Sequence, residues 1–322
     1  SSRFADGNQW GFFPSVSVGW NIANEPFWED MKETVSSFKL RMSYGALGNQ
    51  SVPLYLYIPK LDSNADNINY PFDGKVVNQG YAVRSLPSRN IKWETTFYKN
   101  IGVDMSLWNN KLEFSIEGYI KDTKDMLSEK NISLTVNDGE LRTTGMEMQL
   151  IYHGNAGKDF KYDLDFNLSH FKSKLKSMAD PNYMYEYGAS RTYVGGYFGE
   201  FWAYETAGII QNEAEAKLWK ESHGRKDSKG NWIPMQPNAE PGDLRFVDQN
   251  GDGMLDSDDK KLLGNGCPKA SIGFNVTLNY KNFDLVANFY GDLGVDRYNY
   301  TKYQLERMDT KFNYGRNALK AW

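Results

Sequence analysis

The chain has 322 residues, 40% hydrophobic and 15% aromatic, with a formal net charge of -4. That balance, with no local Lys/Arg run, excludes a basic field for nucleic acid, and the only cysteine, Cys267, excludes an internal disulfide framework or a Cys-based metal cluster. No window approaches the roughly 20 apolar residues of a membrane helix, so any passage through a bilayer must be made by strands.

Taken in order, residues 11–20 and 37–46 alternate weakly between apolar and polar, joined by a segment, 21–36, that is long for a hairpin turn. A polar stretch, 47–93, leads to a strand candidate at 94–108. The next begins in "KLEFSIEGYIK", where Leu112, Phe114, Ile116 and Ile120 alternate with Lys111, Glu113, Ser115, Glu117 and Lys121. After 128–142 comes a weaker alternation at 143–152. In "FKYDLDFNLSH", Phe160, Tyr162, Leu164, Phe166 and Leu168 then oppose Lys161, Asp163, Asp165, Asn167 and Ser169. Beyond the long segment 176–267, "ASIGFNVTLNY" sets Ile272, Phe274, Val276 and Leu278 against Ser271, Asn275, Thr277 and Asn279, and 282–290 follows more weakly. These are about eight strands, several longer than the five or six residues usual in soluble sheets.

The connections alternate between tight and long. "WNNKL" (108–112), "YHGNAGKDF" (152–160) and "YKNF" (280–283) read as hairpin turns with Asn or Gly where positive φ is required, whereas 47–93, 128–142 and 176–267 are long and rich in Asn, Asp, Gly and Pro. Short turns at one end and long loops at the other are the asymmetry of an outer-membrane barrel. Trp20, Phe38, Trp108, Tyr152, Phe160, Tyr280 and Phe283 flank the short turns, as an interfacial girdle would; Trp10, Tyr44, Trp93 and Phe171 are expected to form a second girdle. The fold class is therefore all-β, a transmembrane antiparallel β-barrel. A soluble β-sandwich acting as a calcium-dependent carbohydrate-binding module is the alternative, because alternation does not reveal what the apolar face touches.

Within the last long loop, "DQNGDGMLDSDD" spaces oxygen donors as a calcium loop does, with Asp248, Asn250, Asp252, the Met254 carbonyl, Asp256 and Asp259 at the ligand positions and Gly253 at the sharp turn. Asp replaces the usual Glu at the last position. The expected ion is a structural Ca2+, with Mg2+ or Na+ left open; the competing reading is a solvated turn held by Asx hydrogen bonds. "GDLRFV" before it reads as a strand, and "KKLLGNGCP" after it as at most one helical turn. Trp202, Tyr204, Trp219 and Trp232 are candidate partner or ligand contacts, although packing within a folded loop is the stronger expectation. Residues 212–222 read as a short helix with Ala214, Leu218 and Trp219 on one side, and "TKYQLERMDTKF" as another helical segment. His153, in a turn, His223, in a polar loop, and His170 lack zinc-type spacing or a nucleophile motif, so no enzyme is expected.

Several stretches together resemble the SusC/RagA family of TonB-linked outer-membrane transporters: "WGFFPSVSVGWNIANEPF" with "FKLRMSYGALGNQ", "NIKWETTFYKNIGVDMSLWNNKLEFSIEGYIKDTKDML", and "PGDLRFVDQNGDGMLDSDDKKLLG" running into "PKASIGFNVTLNYKNFDL". The acidic loop is itself a hallmark of that family. The resemblance implies a barrel of about 22 strands closed by a plug, in the outer membrane of a Gram-negative bacterium. Residues 1–322 would belong to one barrel domain, with 176–267 extracellular and the plug outside this stretch of chain. It further implies import of glycans or peptides, powered by TonB through the N-terminal region, a SusD-like surface lipoprotein as cap, outer-membrane lipid around the wall, and association of such complexes in pairs.

Overall fold

A period of two builds a two-faced wall only if neighbouring strands keep the same parity across every pair. The computed structural model, which describes residues 1–62, 70–71, 77–78, 80–130, 134–307 and 313–320, has this property. Its main sheet comprises β1 (Ser15–Asn21), β2 (Val35–Asn49), β3 (Glu94–Leu107), β4 (Leu112–Lys124), β5 (Glu140–Ala156), β6 (Phe160–Ser177), β7 (Ala270–Tyr280) and β8 (Phe283–Leu293), antiparallel and in chain order. All eight expected strands are present. Strands β2, β5 and β6 run to 15, 17 and 18 residues, because backbone pairing continues past the apolar stripe into polar ends.

Register aligns the apolar parity across the sheet. One lateral row runs Phe38, Met105, Phe114, Leu150, Phe166, Phe274 and Phe289. Slipping any strand by one residue would turn its apolar side chains to the opposite face. Toward β8 this face stays open, with Leu285 60% and Phe289 59% exposed.

The tight turns lie where expected, with one difference of detail. Trp108, Asn109 and Asn110 all take positive φ, as does Gly157, but in the turn at 280–283 it is Lys281, not Asn282, that does so. The longer 21–36 connection is folded into two 3-10 segments, Ile22–Asn24 and Pro26–Met31, and Trp28 stacks on Phe38 at 5.2 Å. The loop expected at 128–142 contains a small hairpin, Leu127–Lys130 with Leu134–Asn137, and gives its last residues to β5.

Contacts divide the chain into two compact units. The first, Ser1–Met184 with Tyr193–Phe198 and Pro268–Gly294, holds the main sheet and a small cluster of Phe4, Val52 and Ile91, on which Trp93 packs. Trp93 therefore is not a girdle residue as expected; it meets Phe4 and Phe13 at 5.4 and 5.3 Å. Phe171 also departs from the second girdle, since its parity places it on the polar face of β6. The second unit, Tyr185–Thr192, Gly199–Cys267 and Val295–Trp322, is built from short hairpins. Its α1 (Glu213–Ser222) starts at Asn212, whose side chain accepts the Glu215 N–H at 2.9 Å. The buried side of α1 carries Ala216 and Trp219 against Ile210 and Ala239, while Ala214 and Leu218 face solvent, contrary to expectation. Residues 260–265 form a strand rather than a helical turn, and α2 covers Tyr300–Glu306. The remainder of that expected helical segment, 308–312, lies outside the described residues.

Candidate functional site

The polar face of the sheet carries hydrogen-bonded clusters rather than a scatter of solvated side chains. Arg41 on β2 donates to Asp104 on β3 at 3.0 Å and to Glu117 on β4 at 2.5 Å. Ser115 completes the link by donating to Asp104 at 2.7 Å, and Asn100 donates to Glu117 at 3.1 Å. Further along, Asp165 accepts from Gln149 and Asn275 at 3.1 and 3.3 Å, joining β5, β6 and β7. His153 lies in β5, not in a turn, with Asp163 at 2.6 Å and Glu113 at 3.6 Å. A shallow groove of about 380 Å3 runs between Ser115, Glu117, Glu147, Gln149, Asn167 and Ser169. Such a surface offers hydrogen-bond donors and acceptors to water, or to a polar solute passing along it.

The opposite face is apolar and ends in rings. Beside the short turns, Tyr152, Tyr162, Phe160 and Tyr280 form a chain of contacts at 5.9 to 6.5 Å. Trp20, Trp108 and Phe283 continue the row, 48%, 52% and 78% exposed. An apolar band bounded by amphipathic rings is how a strand wall meets a bilayer interface. Of the expected second girdle, Tyr44 lies on the apolar face and stacks on Phe97 at 6.4 Å, and Trp10 is 92% exposed.

In the second unit, the acidic loop closes on its own amides. Asp248 accepts from Gly251 and Gly253, Asn250 from Asp252, and Asp252 from Met254, at 2.6 to 2.9 Å. Gly253 sits at φ +75°, and a Cβ there would lie 2.5 Å from the Gly224 carbonyl oxygen, so only glycine fits. Asp256 and Asp259 cap the 3-10 turn Ser257–Asp259 reciprocally. Asp259 is fully buried, and its carboxylate accepts from Gln249 and Asp256, each at 2.9 Å. The donor types suit a hard cation, yet among the described residues no three Asp, Glu, His or Cys side chains converge to hold one.

The loop is tied to its neighbours by charge. Arg191, 7% exposed, donates to the Ser257 carbonyl at 2.7 Å and to Glu186 at 2.6 Å, and Lys260 also pairs with Glu186. Burial alone would raise the Glu186 pKa, but the hydrogen bonds from Lys260 and Arg191 outweigh it and hold the carboxyl below its usual range. A depressed folded value means that the stabilisation is complete above the unfolded carboxylate pKa, about 4.3, and fades as pH falls through the lower folded value. Glu186→Gln should weaken the unit by about 1.5–3 kcal/mol at neutral pH. Limited proteolysis within 199–267 as a function of pH should show wild type loosening only in acid, with the variant loosened throughout.

The four candidate aromatics are not gathered into one surface. Trp202 donates to Glu200 at 2.9 Å and lies under Arg191, whose guanidinium is 4.6 Å from the ring centroid. Tyr204 meets Phe246 at 5.5 Å. Trp219 packs in the α1 cluster, donates to Gln236 at 2.9 Å and stacks on His223 at 3.6 Å. Trp232, 42% exposed, pairs with Lys226 in a short hairpin and donates its indole N–H to the Lys220 carbonyl at 2.7 Å. Arg191 and Glu186 escaped the sequence reading because nothing local marks them; they become a site only when Lys260 arrives from 74 residues downstream.

Comparison with known proteins agrees with this architecture. The family described as TonB dependent receptor-like, beta-barrel, matches residues 1–301. TonB-dependent receptor P3 of Formosa agariphila is 30% identical over 321 residues, covering 95% of this chain and 30% of that protein. TonB-dependent receptor SusC of Bacteroides thetaiotaomicron is 28% identical over 297 residues, covering 88% and 28%. The chain thus spans about 30% of the length of these relatives. Among solved structures, the RagAB peptide transporter superposes on all of this chain and 34% of its own, with a TM-score of 0.75 at 22% identity, which speaks for the fold. With a family match over nearly its whole length and an eight-stranded wall that is polar on one side and apolar with a ring-lined margin on the other, the chain belongs to the TonB-dependent receptor β-barrel family and is part of an outer-membrane barrel.

Proposed function

We propose that this chain forms part of the wall of an importer that carries oligosaccharides or peptides through the outer membrane, energised by TonB and capped by a SusD-like surface lipoprotein. The observation that supports it most is the pairing of faces: a polar face with hydrogen-bonded clusters around Arg41, Asp104 and Glu117 and around Asp165 backs an apolar surface on the same eight-stranded sheet. Among the described residues β1 and β8 end the sheet with unpaired edges, which a bilayer tolerates only when further strands close them. The soluble carbohydrate-binding module is the less supported reading, since Leu285 and Phe289 on the apolar face are 60% and 59% exposed. Deleting the full-length gene and following growth on oligosaccharides or on peptides as sole nutrient tests the import reading. Unchanged growth and uptake on both classes overturns it.

Trp232 is the ring best placed for partner contact, being the least packed of the four. A photo-crosslinker there in the full-length protein should capture a surface lipoprotein in cells; capture of periplasmic proteins instead would reverse the assignment of the long loops to the outside.

Asp248, Asn250, Asp252, Asp256 and Asp259, with the Met254 carbonyl, are proposed to hold one Ca2+ that fixes the acidic loop. The spacing of oxygen donors around Gly253 supports this. In the full-length protein, Asp252→Ala should weaken calcium binding by on the order of tenfold or more and increase protease cleavage within 248–259, leaving the barrel folded. Equal protease protection of wild type in calcium and in chelator would reduce the motif to a solvated turn.

A further inference from the structure

The polar face lies flatter than its side chains alone would predict. In a strand, side chains stand roughly perpendicular to the sheet, yet three on this face lie along it, each over a glycine that is its register partner. Arg41 covers Gly102, Tyr119 covers Gly145, and Asn167 covers Gly273. A Cβ on Gly102 would sit 2.8 Å from the Arg41 Cζ, one on Gly145 would sit 2.5 Å from the Tyr119 Cζ, and one on Gly273 would overlap the Asn167 amide. Gly102 and Gly273 are buried beneath these groups, and Tyr119 is itself only 8% exposed.

All three pairs border one feature, the groove of about 380 Å3 that crosses β4, β5 and β6. Gly102 is the register partner of Glu117, Gly145 lies two residues from Glu147 on the same face, and Asn167 lines the groove directly. A ring laid over a glycine also stabilises a sheet, and Tyr162 over Gly154 on the apolar face is an example. That does not account for Asn167. Among the described residues its side chain has no hydrogen-bond partner, so it lies down because Gly273 leaves the space and not because a bond holds it there. Three side chains beside the groove are thus laid against backbone rather than out over it.

From this we infer that Gly102, Gly145 and Gly273 set the clearance over this stretch of wall, and so the width of solute that passes along the groove. They act by bulk and not by chemistry: each lets a long or planar neighbour lie flat, and a side chain in its place would lift that neighbour into the path. At Gly102 and Gly273 the atoms in the way are the ends of Arg41 and Asn167, which can swing up without moving the strand. At Gly145 a Cβ would also meet the His170 carbonyl oxygen at 2.9 Å, so a change there strains the backbone as well. The inference rests on the import reading above, and holds whether the cargo is saccharide or peptide.

The test uses the full-length protein in cells that lack the native gene. They are fed two series graded in width at constant length: oligosaccharides from linear to increasingly branched, and peptides from Gly- and Ala-rich to Tyr- and Trp-rich. Depletion of each member from the medium is followed by chromatography and mass spectrometry. Wild type should pass members up to a limiting width. Gly102→Val and Gly273→Val, β-branched changes that suit a strand, should lower uptake of members at that limit several-fold and leave the narrowest near the wild-type rate. Adding Asn167→Ala to Gly273→Val removes the lifted amide and should restore the limit, an effect that a merely structural role of Gly273 would not give. Heat-modifiable mobility on gels checks folding, and where a valine variant does not fold, Gly273→Ala should give a smaller shift in the same direction. An equal loss at every width would assign the glycines to packing or to the seating of the plug, and would overturn the inference. So would an unchanged limit in the folded variants, or no rescue by Asn167→Ala. Depletion of neither series by wild type would overturn the import reading, and the inference with it.

Discussion

Phe166→Arg in the full-length barrel is expected to cost about 2–4 kcal/mol, the penalty for an arginine at the midplane of a strand wall facing lipid. Phe166 lies in the lateral row with Leu150 and Phe274, well inside the ring margin marked by Phe160 and Tyr280. Its neighbour Asp165 points to the other face, where it accepts from Gln149 and Asn275. Asp165→Arg forfeits those two bonds but keeps its charge in water, so it should be much the milder change. Urea unfolding in lipid vesicles, read by heat-modifiable mobility, compares the two. Equal losses at 165 and 166 would remove the case that one face meets a bilayer.

Asp259→Ala should loosen the acidic loop of the second unit, with a loss of roughly 1–3 kcal/mol, because two backbone N–H donors would lose their charged acceptor together. The Gln249 and Asp256 amides both depend on this carboxylate, which is fully buried. The prediction separates structural from ion-binding roles within one motif. Asp252 is exposed and its loss should matter chiefly when calcium is present, whereas Asp259→Ala should loosen the loop with or without it. Hydrogen exchange of the Gln249 and Asp256 amides in chelator gives the measurement. Unchanged protection at both would contradict the geometry on which the expectation rests.

Much of the wall was legible in the residues alone, for a local reason. Alternation in "LEFSIEG" and "FKYDLDFNL" fixes both strand and face, since side-chain direction in extended backbone repeats every two residues whatever the partner strand is. The tight turns were legible too, because Asn109, Asn110 and Gly157 accept positive φ at little cost. So was the presence of a helix at 212–222, from the spacing of its apolar residues, though not which side of it is buried.

Other features were decided only by tertiary structure, because they depend on pairs far apart in the chain. Trp93 reads as a girdle ring until Phe4 and Phe13 arrive against it. Leu218 reads as buried until Ile210 and Ala239 place the cluster on the Ala216 and Trp219 side of the helix. Asp259 reads as a surface ligand until the loop folds its carboxylate under the Gln249 and Asp256 amides. The ion pairs of Asp122 with Lys99 and Arg142 have no signature in any single strand, since the three residues meet only through the register of β3, β4 and β5. Period-two patterning determines which way a residue points, but cross-strand register, set by the whole sheet, determines what it stands beside.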